Sequence, residues 1–428
     1  MGAMNNTESS SRQKCLVQKY GGTSVGSVER IQNIAKRTQR FSESHGPRIA
    51  IVVSAMSGET NRLLSLVRAV NPEVSAKFSD VALAAGEQVS VALTCAALEA
   101  CGLDAEPFLA HQLGILTDEM FSRARILSIN TERIEKAWSL GKIPVIAGFQ
   151  GVTSDQAVTT IGRGGSDTSA VAIAVALGAD FCEINTDVDG VYTADPRYVP
   201  EARLCPVLDF DVALEMASLG SKVLHPRCVE LAAKYKLPLI VRNTFSPDDA
   251  ERTTIMSVQE SLESPIVSGV TMDRAVARFF VRFAPADVLP LADLFQKISE
   301  QGVNVDIIVY DQAGPESEHS VGFTVNKEDI SSTKKALELI RLSSEGASAS
   351  TELKLLSYDC EDGLAKISIV GLGMRSHLGV ASRLFACFKF EGIGIRMIST
   401  SEIKVSCVVQ DKDAERSYKK AHEAFFTA

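Results

Sequence analysis

The sequence predicts an α/β domain with a mostly parallel sheet sandwiched by helices, followed by two smaller α+β modules of one kind. Three observations predict it. From about residue 15 to 245, short apolar runs alternate with longer amphipathic stretches, the pattern of a parallel sheet covered on both faces. A turn-rich break then follows, with Ser246-Pro247-Asp248-Asp249 inside Asn243–Thr254. Beyond it, a helix–glycine–strand pattern occurs twice at a fixed shift. A chain of 428 residues is also too long for one ordinary core and fits two or three domains.

In chain order, Leu16-Val17 opens the first strand, and Ile49–Val53, Ile143–Ala147, Phe181–Ile184 and Leu237–Val241 are the next four. Helical periodicity lies between them, as in Val28–Phe41 and Ser169–Leu177. In the second half, Leu291–Val309 and Ala381–Ser399 align at a shift of 90 residues (392 minus 302). That shift puts Leu294-Phe295 on Leu384-Phe385 and Gly302 on Gly392, and Val303, Val305 and Ile308 on Ile393, Ile395 and Ile398. Each copy reads as an amphipathic helix, a glycine stop and an alternating strand. A strand precedes each helix, at Arg278–Phe283 and Ala365–Val370. The expected domains are 14–245, a linker at 246–265, then 266–345 and 352–428, with the Gly-Ala-Ser-rich stretch Ser343–Ser350 between the modules.

Composition narrows the function classes. Hydrophobic residues make up 45% and charged residues 23%, ordinary for a globular protein. A net charge of −9 argues against nucleic acid or an anionic membrane as main partner. No uncharged apolar run reaches the length of a membrane span, so none is expected. Residues 1–13 read as a disordered polar tail without a secretory signal, with Met4 as an alternative start and residues 1–3 as a leftover of expression. Nine cysteines without a C-x-x-C pair fit buried thiols in a reducing, cytoplasmic compartment rather than disulfides or a zinc site.

Four motifs could carry chemistry. Lys19-Tyr20-Gly21-Gly22-Thr23-Ser24 follows the first strand and precedes a helix. It is either a tight turn or an anion loop, with backbone N–H groups, a helix N-terminus and the Lys19 charge converging on one place. Gly162-Arg163-Gly164-Gly165-Ser166-Asp167-Thr168 opens a second helix. There Arg163 suits a carboxylate or phosphate, while Asp167 is either functional or a helix cap. Thr186–Arg197 (TDVDGVYTADPR) has the wrong spacing for a calcium loop. It is either a nucleotide loop at a strand's end or a surface turn. Gly220-Ser221-Lys222-Val223-Leu224-His225-Pro226 adds a second lysine, surface or functional, and a histidine read as structural. No Ser-His-Asp or Cys-His arrangement is suggested by spacing. Phosphoryl transfer fits these parts, because it needs mainly positioning and charge neutralisation. A carboxylate acceptor is ionised at neutral pH and needs no general base.

The motifs together resemble the aspartokinases. KYGGTSV (19–25), SAMSGETN (54–61), AGEQVS (85–90), GFQG (148–151), GRGGSDTSA (162–170), TDVDGVYTADPR (186–197) and GSKVLHPR (220–227) occur in that family's order. The C-terminal repeat, with GMRSHLGV and ISTSEIKVS, looks like its paired ACT domains. The resemblance implies an amino-acid-kinase fold and transfer of the ATP γ-phosphoryl group to the β-carboxylate of L-aspartate, with Mg²⁺. Carried over by motif, Lys19 and Lys222 would stabilise the transferring group and Asp167 would orient them. Gly21, Gly22 and Thr23 would lie along the phosphates, and Thr186, Asp187, Tyr192, Arg197 and Val223 would line the nucleotide site. Ser54, Thr60, Glu87, Arg163 and Ser166 would hold aspartate.

For the regulatory half, the resemblance implies lysine, threonine or both as effectors, near Asn304, Val305, Asp306, Tyr310, Ala381, Gly394, Ile395 and Glu402. It also implies a dimer or tetramer through the ACT domains. Three positions depart from the family pattern: Ala286-Asp287-Val288-Leu289 in place of an Asp-Lys-Pro-Gly type loop, Tyr310 in place of Gln, and Gly394 in place of Asn. The alternative activities are a glutamate 5-kinase-like enzyme and a catalytically silent amino-acid sensor. An internal start near Met256 would yield a separate regulatory subunit.

Overall fold

A computed structural model describes residues 14–45, 48–221, 223–258, 266–284, 291–312, 319–344, 355–374 and 377–427. By internal contacts the chain forms two compact units. The first comprises residues up to Tyr192 and Arg203–Ser264; the second comprises Thr193–Ala202 and Pro265 onward. Residues 193–202, read from sequence within 14–245, therefore group with the second unit.

The first unit is built on an eight-stranded sheet. Its strands are β1 (Leu16–Tyr20), β2 (Ile49–Val53), β3 (Ala105–Phe108), β6 (Ile143–Ala147), β9 (Phe181–Thr186), β10 (Val207–Leu208), β11 (Leu239–Asn243) and β12 (Thr253–Ile255), in the order β10-β12-β11-β9-β1-β2-β6-β3. A small second sheet holds β4 (Leu116–Thr117), β5 (Ile126–Ser128), β7 (Gln150–Val152) and β8 (Val158–Thr160). The neighbours of β1 run parallel to it, with Lys19 level with Val52 on one side and Ile184 on the other. The central strands β1, β2 and β6 are buried at every position, which is why β2 and β6 read as near-continuous apolar runs; β1 buries Gln18 and Lys19 as well. All five strands expected from the sequence form, with small shifts at their ends. The short strands β3–β5, β7, β8, β10 and β12 had no readable signature.

The helices of this unit are α1 (Val28–His45), α2 (Glu59–Val70), α3 (Ala76–Leu83), α4 (Ala85–Ala100), α5 (Glu132–Ser139), α6 (Gly165–Ala176), α7 (Phe210–Ser218) and α8 (Pro226–Tyr235). Residues 76–100 are long and apolar enough to cross a membrane by length and composition alone, although they carry Lys77, Asp80, Glu87 and Glu99. They divide into α3 and α4, which bury Asp80, Glu87 and Ser90 beside Leu83, Val91 and Leu98. Val91 and Leu98 join the core formed by α1, β1, β2 and β6, so α4 is a core helix of this unit. Helix α6 begins at Gly165 rather than at the expected Ser169, because Gly164 at φ 66° turns the chain into it.

The second unit carries the internal repeat. Strand β13 (Gly269–Phe283), α9 (Leu291–Glu300), β14 (Val305–Gln312), β15 (His319–Asn326) and α10 (Ile330–Ser344) make the first copy. Strand β16 (Leu355–Val370), α11 (Val380–Phe390), β17 (Ile395–Thr400), β18 (Lys404–Gln410) and α12 (Ala414–Phe426) make the second. Gly302 and Gly392 both take positive φ, 74° and 66°, and end their helices as the repeat requires. The modules do not stand apart. They share one six-stranded sheet in the order β14-β15-β13-β16-β18-β17, joined by antiparallel pairing of the two long strands β13 and β16. The loop 286–289 and most of 343–350 lie outside the described residues.

Candidate active site

The site gathers at the carboxyl ends of β1, β2, β6 and β9, where ligands of open parallel sheets bind. Lys19, on β1 and only 8% exposed, places its Nζ 2.5 Å from Asp167 Oδ1 on α6. Asp167 therefore does not cap its helix: Gly164 stands at the cap position, and no side chain caps there. The contact lacks hydrogen-bond geometry, so Asp167 Oδ1 has no hydrogen-bond partner. Most buried polar atoms are hydrogen-bonded; this oxygen is held by its ion pair with Lys19 alone.

The turn after β1 is shaped by close approach. A side chain on Gly22 would meet the Ala55 carbonyl at 2.9 Å. Gly21 N–H donates to the Asn185 carbonyl at 3.2 Å, and Ser57 N–H to the Gly22 carbonyl at 3.1 Å. On α4, Glu87 is 2% exposed, and its Oε1 accepts the Ala55 N–H at 3.0 Å while Oε2 has no hydrogen-bond partner. Burial pushes its carboxyl up to about 7, partly offset by the Ala55 N–H.

A cavity of about 700 Å³ joins these groups. Lys19, Gly22, Ser54, Thr60, Glu87, Arg163, Ser166 and Asp167, all expected from the sequence, line it. Ser122 and Phe149 line it too, and neither was singled out. Phe149 holds φ 68°, and its N–H donates to Ser169 Oγ at 3.0 Å. Its motif GFQG was visible, but the aromatic carries no polar signal of a site. Gly162 and Gly164 also hold positive φ, 86° and 66°, so the Arg163 loop is a turn that only glycines relieve of strain.

The other expected residues fall elsewhere. Gly21, Thr23, Thr186, Asp187, Tyr192 and Val223 are not among those lining this cavity. Thr186 ends β9 and pairs with Asn243 of β11; its Oγ1 donates to Asp187 at 3.2 Å. Tyr192 donates to Asp189 Oδ2 at 3.2 Å. Arg197 lies in the second unit, exposed, with its guanidinium forked onto Asp195 at 2.6 to 3.1 Å. Lys222 lies outside the described residues. His225 caps α8 by accepting the Arg227 N–H at 3.3 Å, and burial, then the Arg227 charge, lowers its pKa. It is a structural residue, as its place before Pro226 indicated.

In the second unit, Asn304, Val305, Asp306 and Tyr310 sit at or on the edge strand β14, and Gly394 and Ile395 begin the opposite edge β17. Asp306 pairs with Lys366, and Tyr310 Oη lies 2.8 Å from His319 Nδ1. Ala381 packs on the second module's core, and Glu402 is exposed in the turn after β17. Met397 and Ile307 belong to one small apolar cluster with Leu364 and Val408, and a cavity of about 420 Å³ in this unit is lined by Arg278, Phe280, Val309, Asp311, Ile395 and Arg396 among others. Of the eight expected positions, only Ile395 lines it. Among the described residues no group of three or more His, Cys, Asp or Glu is placed to hold a metal.

Residues 14–243 match the amino acid kinase family, and residues 367–425 match the ACT domain. The aspartokinase of Pseudomonas aeruginosa is 44% identical over 410 residues, covering 96% of this chain and 97% of that protein. A crystal structure of E. coli aspartokinase III in complex with aspartate and ADP (R-state) superimposes with a TM-score of 0.78 at 24% identity, covering 96% of this chain and 100% of that one. A second, in complex with lysine and aspartate (T-state), gives 0.70 at 24% identity, covering 96% and 99%. At that identity both speak for the fold. The chain belongs to the aspartokinases, within the amino acid kinase family.

Proposed function

We propose that this chain transfers the γ-phosphoryl group of ATP to the β-carboxylate of L-aspartate, giving β-aspartyl phosphate, the entry to lysine, threonine and methionine synthesis. The observation that carries this reading is the buried Lys19–Asp167 pair on the wall of a cavity shared with Glu87 and Arg163. The reaction brings an anion to a polyanion, so its barrier is mainly electrostatic repulsion. Lys19, held by Asp167, supplies a fixed positive charge where the transferring group carries negative charge. Lys222 is the second such charge by its motif. The acceptor carboxylate is ionised at neutral pH, and no side chain is needed to deprotonate it.

Arg163 takes a substrate carboxylate, and Glu87 takes the ammonium group, with Ser54, Thr60 and Ser166 completing the acceptor site. Gly21, Gly22 and Thr23 follow the phosphates, and Thr186, Asp187, Tyr192 and Val223 border the nucleotide. Magnesium binds chiefly through substrate phosphates and one or two carboxylates in such sites. Asp167, ion-paired to Lys19, and the exposed Asp187 are the carboxylates on offer. The second unit senses lysine, threonine or both, and pairs with a second copy through its open sheet. The nine free cysteines suit a reducing, cytoplasmic setting.

An ATP- and aspartate-dependent hydroxamate assay tests the activity. Turnover with aspartate and not with glutamate is expected, and the reverse specificity would replace this reading by a glutamate kinase. Adding lysine and threonine singly and together identifies the effector, and sedimentation reports the oligomer.

A further inference from the structure

We infer that Asp80 is a positioning residue for the acceptor site: it clamps the segments from which the Arg163 loop is hung. Asp80 sits in helix α3 and is fully buried. Its carboxylate makes four hydrogen bonds. Oδ2 accepts the backbone N–H groups of Ser122 and Thr160, each at 2.8 Å. Oδ1 accepts the hydroxyls of the same two residues, at 2.9 and 2.8 Å. One side chain thereby fastens two segments that are far apart in the chain. A buried carboxylate is costly unless its oxygens are satisfied, and here each oxygen accepts two hydrogen bonds.

What it holds bears on the site. Ser122 is a non-glycine residue at φ 65°, a strained conformation kept only where the surroundings over-determine it. Its carbonyl is the surface on which Gly162 lies, 2.9 Å from where a Cβ would stand. Thr160 ends β8 two residues before Gly162. From another direction, Arg227 donates to the carbonyls of Ile161 at 2.7 Å and Ala124 at 3.0 Å. The strand end is thus gripped by an anion on its N–H and hydroxyl donors and by a cation on its carbonyls. Arg163 follows Gly162 in the chain, so this grip fixes where its backbone starts. Asp80 itself is absent from the lining of the cavity, whereas Ser122, Thr160 and Arg163 are in it, so its effect passes through the segments it holds.

The inference rests on the assignment of Arg163 to the acceptor carboxylate. Initial rates are measured with aspartate and ATP varied separately. Asp80→Ala should raise KM for aspartate by roughly 10- to 100-fold, the scale of a small misplacement of a binding group. KM for ATP should stay within about twofold. Asp80→Asn should keep KM for aspartate within about threefold of the parent, because its oxygen can accept both N–H groups and its amide can donate to both hydroxyls. Equal rises in both KM values, no rise at all, or an Asp80→Asn variant as impaired as Asp80→Ala would overturn the inference. Should Asp80→Ala not fold, the Ser122→Ala/Thr160→Val double variant keeps the backbone bonds and should raise KM for aspartate about fivefold; an unchanged value would overturn it. Arg163→Ala separates the two readings. If it leaves KM for aspartate unchanged, the acceptor assignment falls and this inference with it. If it raises KM while the Asp80 variants do not, only the clamp falls.

Discussion

Two glycine-containing motifs of the chain behave differently once it folds. Residues 162–168 lie wholly in the first unit, and Arg163, Ser166 and Asp167 all line one cavity. Residues 186–197 are divided: 186–192 belong to the first unit, and 193–197 to the second. There Thr193 Oγ1 lies 2.9 Å from His422 Nε2, the Tyr418 hydroxyl accepts the Asp195 N–H at 2.6 Å, and the Tyr198 and Tyr418 rings meet edge to face. Ala194 and Val199 join the apolar core of the second module. A motif continuous in sequence is therefore not one functional object. The first shapes a site, whereas the second runs from the end of β9 straight into the packing of the regulatory half.

The sharpest test of the first motif is its partner on β1. Lys19→Ala should lower turnover by roughly 100-fold or more, the scale of losing one preorganised charge contact. Near-parental turnover in a continuous ATP-coupled assay would break the claim that this region carries the chemistry. Glu87 comes next. Its folded-state pKa of about 7 lies above the usual 4.5, so the folded chain binds the extra proton. Stability is then full below about pH 4.5 and declines as pH rises through 7, by at most about 3 kcal/mol. Glu87→Gln should flatten that decline in urea midpoints taken from pH 5 to 8. The parent's KM for aspartate should fall as pH rises through 7 and the carboxylate forms, and a pH-independent KM would remove Glu87 from the ammonium site.

Two glycines set the motifs directly against each other. A Cβ on Gly164 would lie 2.2 Å from His225 Cβ, and one on Gly190 2.3 Å from Thr253 Oγ1. Gly164→Ala and Gly190→Ala should each destabilise by about 1 to 3 kcal/mol in denaturant unfolding. Only Gly164→Ala should also raise KM for aspartate, by roughly fivefold or more; equal kinetic effects would erase the contrast. The smallest expected effect is at Thr193. Thr193→Val should leave KM for ATP within about twofold and shift the half-inhibiting lysine or threonine concentration by roughly 2- to 20-fold, the range of coupling changes along packed networks. An unchanged inhibition curve would make residues 193–202 a strut and nothing more.

Much of this was legible in the chain. The buried strands Ile49–Val53 and Ile143–Ala147 show as unbroken apolar runs because both faces are covered. The repeat shows because Gly302 and Gly392 must both leave the helical conformation at the same point of the same unit. Among site residues, Lys19, Glu87, Arg163 and Asp167 were readable from motifs, and the cavity joins them. Two-residue strands such as β4 and β10 are too short to carry a period. Asp80 was missed for a different reason: a single carboxylate in α3 carries no sign of which donors it will meet, 42 and 80 residues away.

By itself, the sequence determined the order of elements, the duplicated module and the identity of the charged groups, because these follow from local periodicity, glycine backbone freedom and side-chain chemistry. Tertiary structure alone decided that β13 and β16 fuse the two modules into one sheet, that residues 193–202 pack with the second unit, and that Asp167 faces Lys19 instead of capping its helix. Each of those outcomes depends on which distant surfaces compete to bury the same groups, and that competition is settled only when the whole chain folds.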